Sequence, residues 1–263
     1  MKYSQFIFVG LLLPLSVIAQ SISPTQLLKK VEDAMKDMTS VVYKIDYTEK
    51  HFTSTDTLSS VALCSLYIEP KDYIGVYYII DEKVSDNGYT HTKYDGEYTS
   101  FIYYEKDGVK ITSENYESES VKNDIYARVN SRKKFACLDV FDKKKPFTRY
   151  KSFFNRLFVK DLNVRESWLF NELVYELTIK HKNRKGEDYI NDRVEIYYIR
   201  KSDYLPIAYS FYGEFEGMSG YEFVTIEYIS TTPQLSADEF KVEMNSEKVI
   251  TETYYQNVKK YQL

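Results

Sequence analysis

Residues 171–180 alternate without a break: Leu173, Tyr175, Leu177 and Ile179 on one side, Val174, Glu176, Thr178 and Lys180 on the other. A period of two commits a segment to a strand, because successive side chains of a pleated backbone point to opposite faces. The same period runs through Val41, Tyr43, Ile45 and Tyr47, through residues 58–68 and 193–199, and through the pair 207–215 and 221–229. Among the 263 residues, 27 Tyr and 15 Phe stand against one Trp. Rings of this kind suit a half-buried pleated surface, where the phenol still reaches water. The chain therefore reads as mainly β with a few helices. It has no Gly/Ser or Pro linker and no repeat of solenoid length, so one domain is the simpler organisation.

The first residues, MKYSQFIFVGLLLPLSVIAQS, carry one cation at Lys2, an apolar run from Phe6 to Leu15 and the small residue Ala19. That is the pattern of an export signal, residues 1–19, with cleavage after Ala19. The run is too short to span a bilayer comfortably, and no later segment approaches the roughly 20 apolar residues of a membrane helix. A soluble, periplasmic protein is expected, with an extracellular location as the other choice. Residues 20–245 then form the domain, and 246–263 a C-terminal extension without a period.

Within the domain, Ser23 or Thr25 can cap a helix starting near Pro24, with Leu27, Leu28, Val31, Ala34, Met35 and Met38 at helical spacing. The sequence YIGVYYII, residues 73–80, is apolar on both faces and predicts a strand covered on each side. Asp86-Asn87-Gly88 and Lys106-Asp107-Gly108 turn the chain, and residues 91–95 and 98–104 form a hairpin around Asp95-Gly96. Between Thr112 and Arg165 the alternation fails. The pieces FACLDVF and YKSFFNRLFV have helical spacing, which predicts one or two inserted helices. The last hairpin, SFYGEFEGMSGYEFVTIEYIS, is expected to turn in the stretch holding Gly217 and Gly220.

Catalytic chemistry has few places to reside. His51, His91 and His181 are far apart and lack His or Cys partners at metal-ligand spacing, and neither a His-Glu-x-x-His helix nor a Gly-x-Ser-x-Gly turn is present. Carboxylate pairs such as Glu214 with Glu216, or Glu187 with Asp188, fit the solvated face of strands and turns better than acid–base work. No catalytic residue, metal or cofactor is expected, and the protein reads as a non-enzyme. The formal charge of −4 becomes −5 once Lys2 leaves with the signal, which disfavours nucleic acid as a partner. Cys64 and Cys137 either form a bridge, which the exported compartment permits, or pack as two small hydrophobes. The basic stretch from Arg132 to Lys151 is either a solvated loop or a dock for anionic headgroups or an acidic partner.

The ordered set PTQLLKKVEDAMKDMTSVVYKIDY, the hairpin around YDGEY, ELVYELTIKHK, VEIYYIRKSDYLPIAYSFY and the closing LSADEF resembles the LolA-like family, which includes the periplasmic lipoprotein carrier and the N-terminal domain of the RseB sensors. The resemblance covers nearly all of the mature chain. It is also similar to the domain that precedes a thioredoxin-like module in larger exported proteins, but no Cys-x-x-Cys occurs, so a stand-alone member is expected. The resemblance implies a curved antiparallel sheet forming an incomplete barrel, with the N-terminal and inserted helices over its concave side and an apolar interior. The carrier's inward-facing arginine has no counterpart that the sequence identifies.

On that frame Tyr43, Ile45, Leu173, Tyr175, Leu177, Phe211 and Phe223 are the candidates for the concave wall, as a closed core or as an apolar ligand cavity. Phe153, Phe154, Leu157 and Phe158, beside the basic stretch, are the candidates for a lid. Two functions remain: binding of a lipid, a lipoprotein's acyl chains or another apolar ligand in the half-barrel, or recognition of a cell-envelope protein by a module with a closed core.

Overall fold

A computed structural model describes residues 22–69, 71–72, 76–84, 88–105, 108–117, 159–183 and 190–243. Helix α1 (Pro24–Met35) opens the domain. Six strands follow: β1 (Ser40–Lys50), β2 (Leu58–Ile68), β3 (Val76–Val84), β4 (Gly88–Tyr94), β5 (Tyr98–Glu105) and β6 (Gly108–Glu117). Five more complete the sheet: β7 (Val159–Leu169), β8 (Glu172–His181), β9 (Asn191–Arg200), β10 (Pro206–Phe215) and β11 (Met218–Ser230), followed by a 3-10 turn at Ala237–Phe240.

Among the described residues these strands make one antiparallel sheet of eleven, in the order β6-β5-β4-β3-β2-β1-β11-β10-β9-β8-β7. Each half is a meander of neighbours in sequence, and the halves meet where β1 pairs with β11. There Tyr43 faces Tyr228, Ile45 faces Ile226 and Tyr47 faces Val224. The sheet does not close, since β6 and β7 are its two edges, and the result is an incomplete barrel.

Local chemistry starts the fold. Ser23 accepts from the Gln26 backbone amide at 3.3 Å while its own amide donates to the Gln26 side chain at 3.0 Å. This reciprocal cap and Pro24 fix where α1 begins. Its buried stripe, Leu27, Leu28, Val31 and Met35, lies on the inner face of the sheet. Burying each of these stabilises the fold by about 2 kcal/mol relative to exposure.

The inner face itself is built from Val41, Tyr43, Ile45 and Tyr47 of β1, Ala62, Cys64, Leu66 and Ile68 of β2, Tyr78 and Ile80 of β3, Tyr197 and Ile199 of β9, and their neighbours in β8, β10 and β11. Phe240, fully buried, packs its ring against Tyr67 and closes the chain onto the first meander.

Several expectations need correction. Residues 112–117 and 159–165, read as part of a helical insertion, are strand: they belong to β6 and β7. In β7 Val159, Leu162 and Val164 of the first seven residues pack on the core, all only partly buried as befits an edge strand, so its alternation is thin. The rest of that insertion, with Phe153, Phe154, Leu157, Phe158 and the basic stretch, lies outside the described residues. So do Cys137, residues 1–19 and the extension from 246. The strand expected at 73–80 is described from Val76 and runs on to Val84.

Gly220 is not part of the last turn. Glu216 and Gly217, both with positive φ, make that turn alone. Gly220 sits inside β11 because a Cβ there would lie 2.8 Å from the Phe52 ring.

Two outcomes follow. Gly220→Val drives Phe52 off its seat and should lower stability by about 1–3 kcal/mol in urea unfolding, with Phe52→Ala absorbing most of that loss in the double variant. Burial raises the pKa of Tyr78, Tyr94 and Tyr209, the Asp72 carboxylate adding to the first two and Glu195 to the third. Their unfolded phenols ionise near pH 10, at about the ordinary tyrosine value. The folded state holds its protons longer, so stability is complete below that pH and falls as pH rises through it. Absorbance titration of the phenolate against far-UV signal should show ionisation of these three only with unfolding.

Candidate functional site

Register turns the inner face into rows that cross the sheet. The middle rows are apolar. Leu177 of β8 faces Tyr197 of β9, which faces Tyr209 of β10 and then Val224 of β11 and Tyr47 of β1. The next row toward the start of β1 places Tyr175 opposite Ile199 and Ile226 opposite Ile45.

At one end the character changes. A single row reads Ile179, Glu195, Phe211, Glu222, Glu49 across β8, β9, β10, β11 and β1. Glu195 is fully buried. Arg193 Nε donates to its Oε1 at 2.9 Å, and His181 Nε2 stands 3.0 Å from the same oxygen. The Tyr197 hydroxyl reaches the other oxygen at 3.4 Å. The Arg193 guanidinium also lies over the Phe211 ring, which meets Phe52 edge-on. A buried carboxylate tolerates its loss of hydration only with such donors around it.

The other end is an aromatic rim. Tyr175 stacks flat on Tyr204, with an interplanar angle of 9°. Lys30 of α1 lies 4.6 Å above the Tyr204 ring and Lys201 sits over Tyr175. An open cleft of ≈ 680 Å³ runs beside them, lined by Glu172, Leu173, Arg200, Lys201, Ser202 and Asp203.

Leu173 is half-buried here and faces Trp168 of β7 across the ladder. Trp168 is 70% exposed and Phe170, in the β7–β8 turn, 62%. That turn uses Phe170 and Asn171, both at positive φ. Two positive φ values are the signature of the tight hairpin turn that matches strand twist. For a bulky side chain the left-handed backbone costs on the order of 1–2 kcal/mol.

The wall candidates separate into groups. Tyr43, Ile45 and Leu177 are sealed in the core, at 1% exposure or less. Tyr175 is buried at the aromatic rim, and Leu173 and Phe211 are half-buried at the two opposite ends. Phe223 is a correction: it faces Ser210 and Thr48 on the outer side of the sheet, because Val224 and Ile226 take the inner positions of β11. The ring pattern on both faces of that strand hides this choice.

Sequence reasoning missed Arg193 and the carboxylates of its row. Their signal was the phase of their strands, since Glu195 shares parity with Tyr197 and Ile199. His91 pairs with Asp81 at 2.6 Å on the outer side, both buried, and His51 bonds Thr53 at the surface. Among the described residues no three His, Cys, Asp or Glu side chains are placed to hold a metal, and no helix is long and apolar enough to cross a membrane.

The class these features define is a mainly β incomplete barrel: an apolar inner face under an N-terminal helix, ionic at one end and aromatic at the other. Solved structures of similar arrangement include MucB, with a TM-score of 0.42 and 11% identity over 84% of this chain and 63% of that one. LprF from Mycobacterium bovis gives 0.41 and 10%, over 82% and 99%. A LolA superfamily protein from Nitrosomonas europaea gives 0.27 and 10%, over 84% and 99%. No family model matches the chain, and no curated protein matches it in sequence.

Glu195→Gln removes the charge that Arg193 and His181 gather around, and should cost about 1.5–3 kcal/mol in urea unfolding. Arg193→Gln should be at least as harmful, because it strips a buried carboxylate of its principal donor; both are read from the same denaturation curves.

Proposed function

We propose that the protein is an exported, non-enzymatic carrier or binder of a lipid, a lipoprotein's acyl chains or another apolar ligand, held against the inner face of the half-barrel. The observation that carries this reading is the continuity of that face. The apolar surface sealed at Tyr43, Ile45 and Leu177 passes through Tyr175 and half-buried Leu173 to exposed Trp168, with no charged side chain facing inward between Leu177 and Leu173 on β8. Among the described residues, α1 borders this rim, with Lys30 over the Tyr204 ring. Tyrosine walls suit such a site, since rings contact acyl chains while hydroxyls keep their bonds. The LolA-like resemblance supports the same reading.

Residues 1–19 as the removed signal, 20–245 as the domain, a periplasmic location, and Phe153, Phe154, Leu157 and Phe158 as a lid belong to this proposal. The second reading, a closed module that recognises an envelope protein, draws on the complete burial of Tyr43, Ile45 and Leu177, and on the exposed pair Tyr212 and Tyr221 facing each other on the outer side.

Native mass spectrometry of protein purified from its own envelope should show co-purified lipid, and a fluorescent fatty-acid probe should bind. Leu173→Asp should weaken that binding roughly tenfold or more, since burying a leucine-sized group is worth about 1.5–3 kcal/mol. Ligand-free protein that takes up no probe would leave the closed module as the function.

A further inference from the structure

The β7–β8 hairpin tip carries two large aromatic side chains that stand mostly exposed. Trp168 and Phe170 are the two most exposed large hydrophobics among the described residues. Phe170 occupies a left-handed position for which Asn or Gly would be the favoured choice. Ring surface held out at a strained turn finds its partner outside the molecule.

We infer that this tip docks the protein on a lipid bilayer, with Trp168 and Phe170 seated at the level of the headgroups. Three features favour a bilayer over a protein surface. Trp and other large aromatics gain most at the membrane interface, where one side is apolar and the other wet. Phe170 stands on a two-residue turn and Trp168 near the end of the strand leading into it, a narrow tip that enters a soft interface without a preformed pocket.

The third is charge. Lys201 pairs with Glu166 at 2.6 Å, and Arg200 with Asp203 at 2.7 Å and Glu172 at 3.6 Å, while Lys30 lies over Tyr204. Three cations and three carboxylates therefore surround the rim in balance. Docking is expected on a zwitterionic surface, with little dependence on salt or on anionic lipid. The tip also continues the inner face through Leu173, so a docked protein presents that rim to the lipid. The docking itself does not depend on ligand carriage.

The chain supplies its own reporter, because Trp168 is its single tryptophan. Titration with phosphatidylcholine vesicles should move its emission to the blue, and bromine-labelled phosphatidylcholine should quench it. Phe170→Asn suits the turn at least as well and should keep the melting temperature, yet weaken vesicle partitioning roughly tenfold. Met218→Asn, at the hairpin tip of the opposite end, should leave partitioning unchanged.

An emission spectrum that vesicles leave unaltered, or equal partitioning of Phe170→Asn and the parent, overturns the proposal. So does an emission change seen only with an envelope protein and never with lipid, which assigns the tip to a protein partner. Fatty-acid probe uptake by Phe170→Asn, measured alongside, separates the two hypotheses: uptake retained with docking lost supports this inference, and uptake absent from both parent and variant bears on the carrier reading alone.

Discussion

The pairing of β1 with β11 is the contact on which everything else hangs. Each meander alone would be a sheet with one apolar face and too little helix to cover it. Joining them at Tyr43–Tyr228, Ile45–Ile226 and Tyr47–Val224 makes the two faces continuous, so that one amphipathic helix serves both halves. The seam also sets the phase of the whole interior, because a slip of one residue would exchange the inner and outer side chains of a complete half. Outer residues such as Lys44 and Asp46 would then be carried inward opposite α1, a cost no rearrangement of the helix could offset.

That fixed phase gives the inner face its polarity. In crossing from Glu195 to Trp168 the same surface passes from a buried ionic row, through a sealed apolar middle, to an exposed aromatic rim. Charged groups at the ionic end are held by neighbours on their own strand and the next, as Arg193, His181 and Tyr197 hold Glu195. At the aromatic end the charges pair among themselves around the rings. An apolar chain would find good contact and little desolvation cost at the aromatic end, and the reverse at the other. Under the proposed function, the end at which an apolar ligand would meet the face is thus written into the strand register.

Much of this was legible in the sequence where both strands of a hairpin alternate strongly. The limits of β2, the start of α1 near Pro24, with Ser23 or Thr25 as its cap, and the order of β8 to β11 follow from period and turn chemistry alone. Legibility failed where an element's environment is one-sided or distant. β7 is an edge strand with Leu162 and Val164 facing in and Lys160, Asp161, Asn163 and Arg165 around them, so its apolar signal is weak. Phe223 could be assigned to a face only by the pairing of β11 with β1, some 175 residues away, judged from Phe223 and Thr48. The ionic row assembles Glu49, Glu195 and Glu222 from three separate strands, and each alone looks like a solvated strand residue. Reading the inward phase through to the end of each strand would have exposed it.

The seam has a consequence in time. β1 is among the first parts of the sheet to emerge in synthesis, and β11 among the last. Until residues 218–230 are available, β1 presents an open edge and half of its tyrosine-rich face has no cover. Closing so long a loop is slow compared with forming the local hairpins on either side. The two meanders therefore take shape early and wait for one another, and the final joining commits the molecule. A chain built this way is most exposed to unwanted strand pairing in the interval just before the last hairpin arrives.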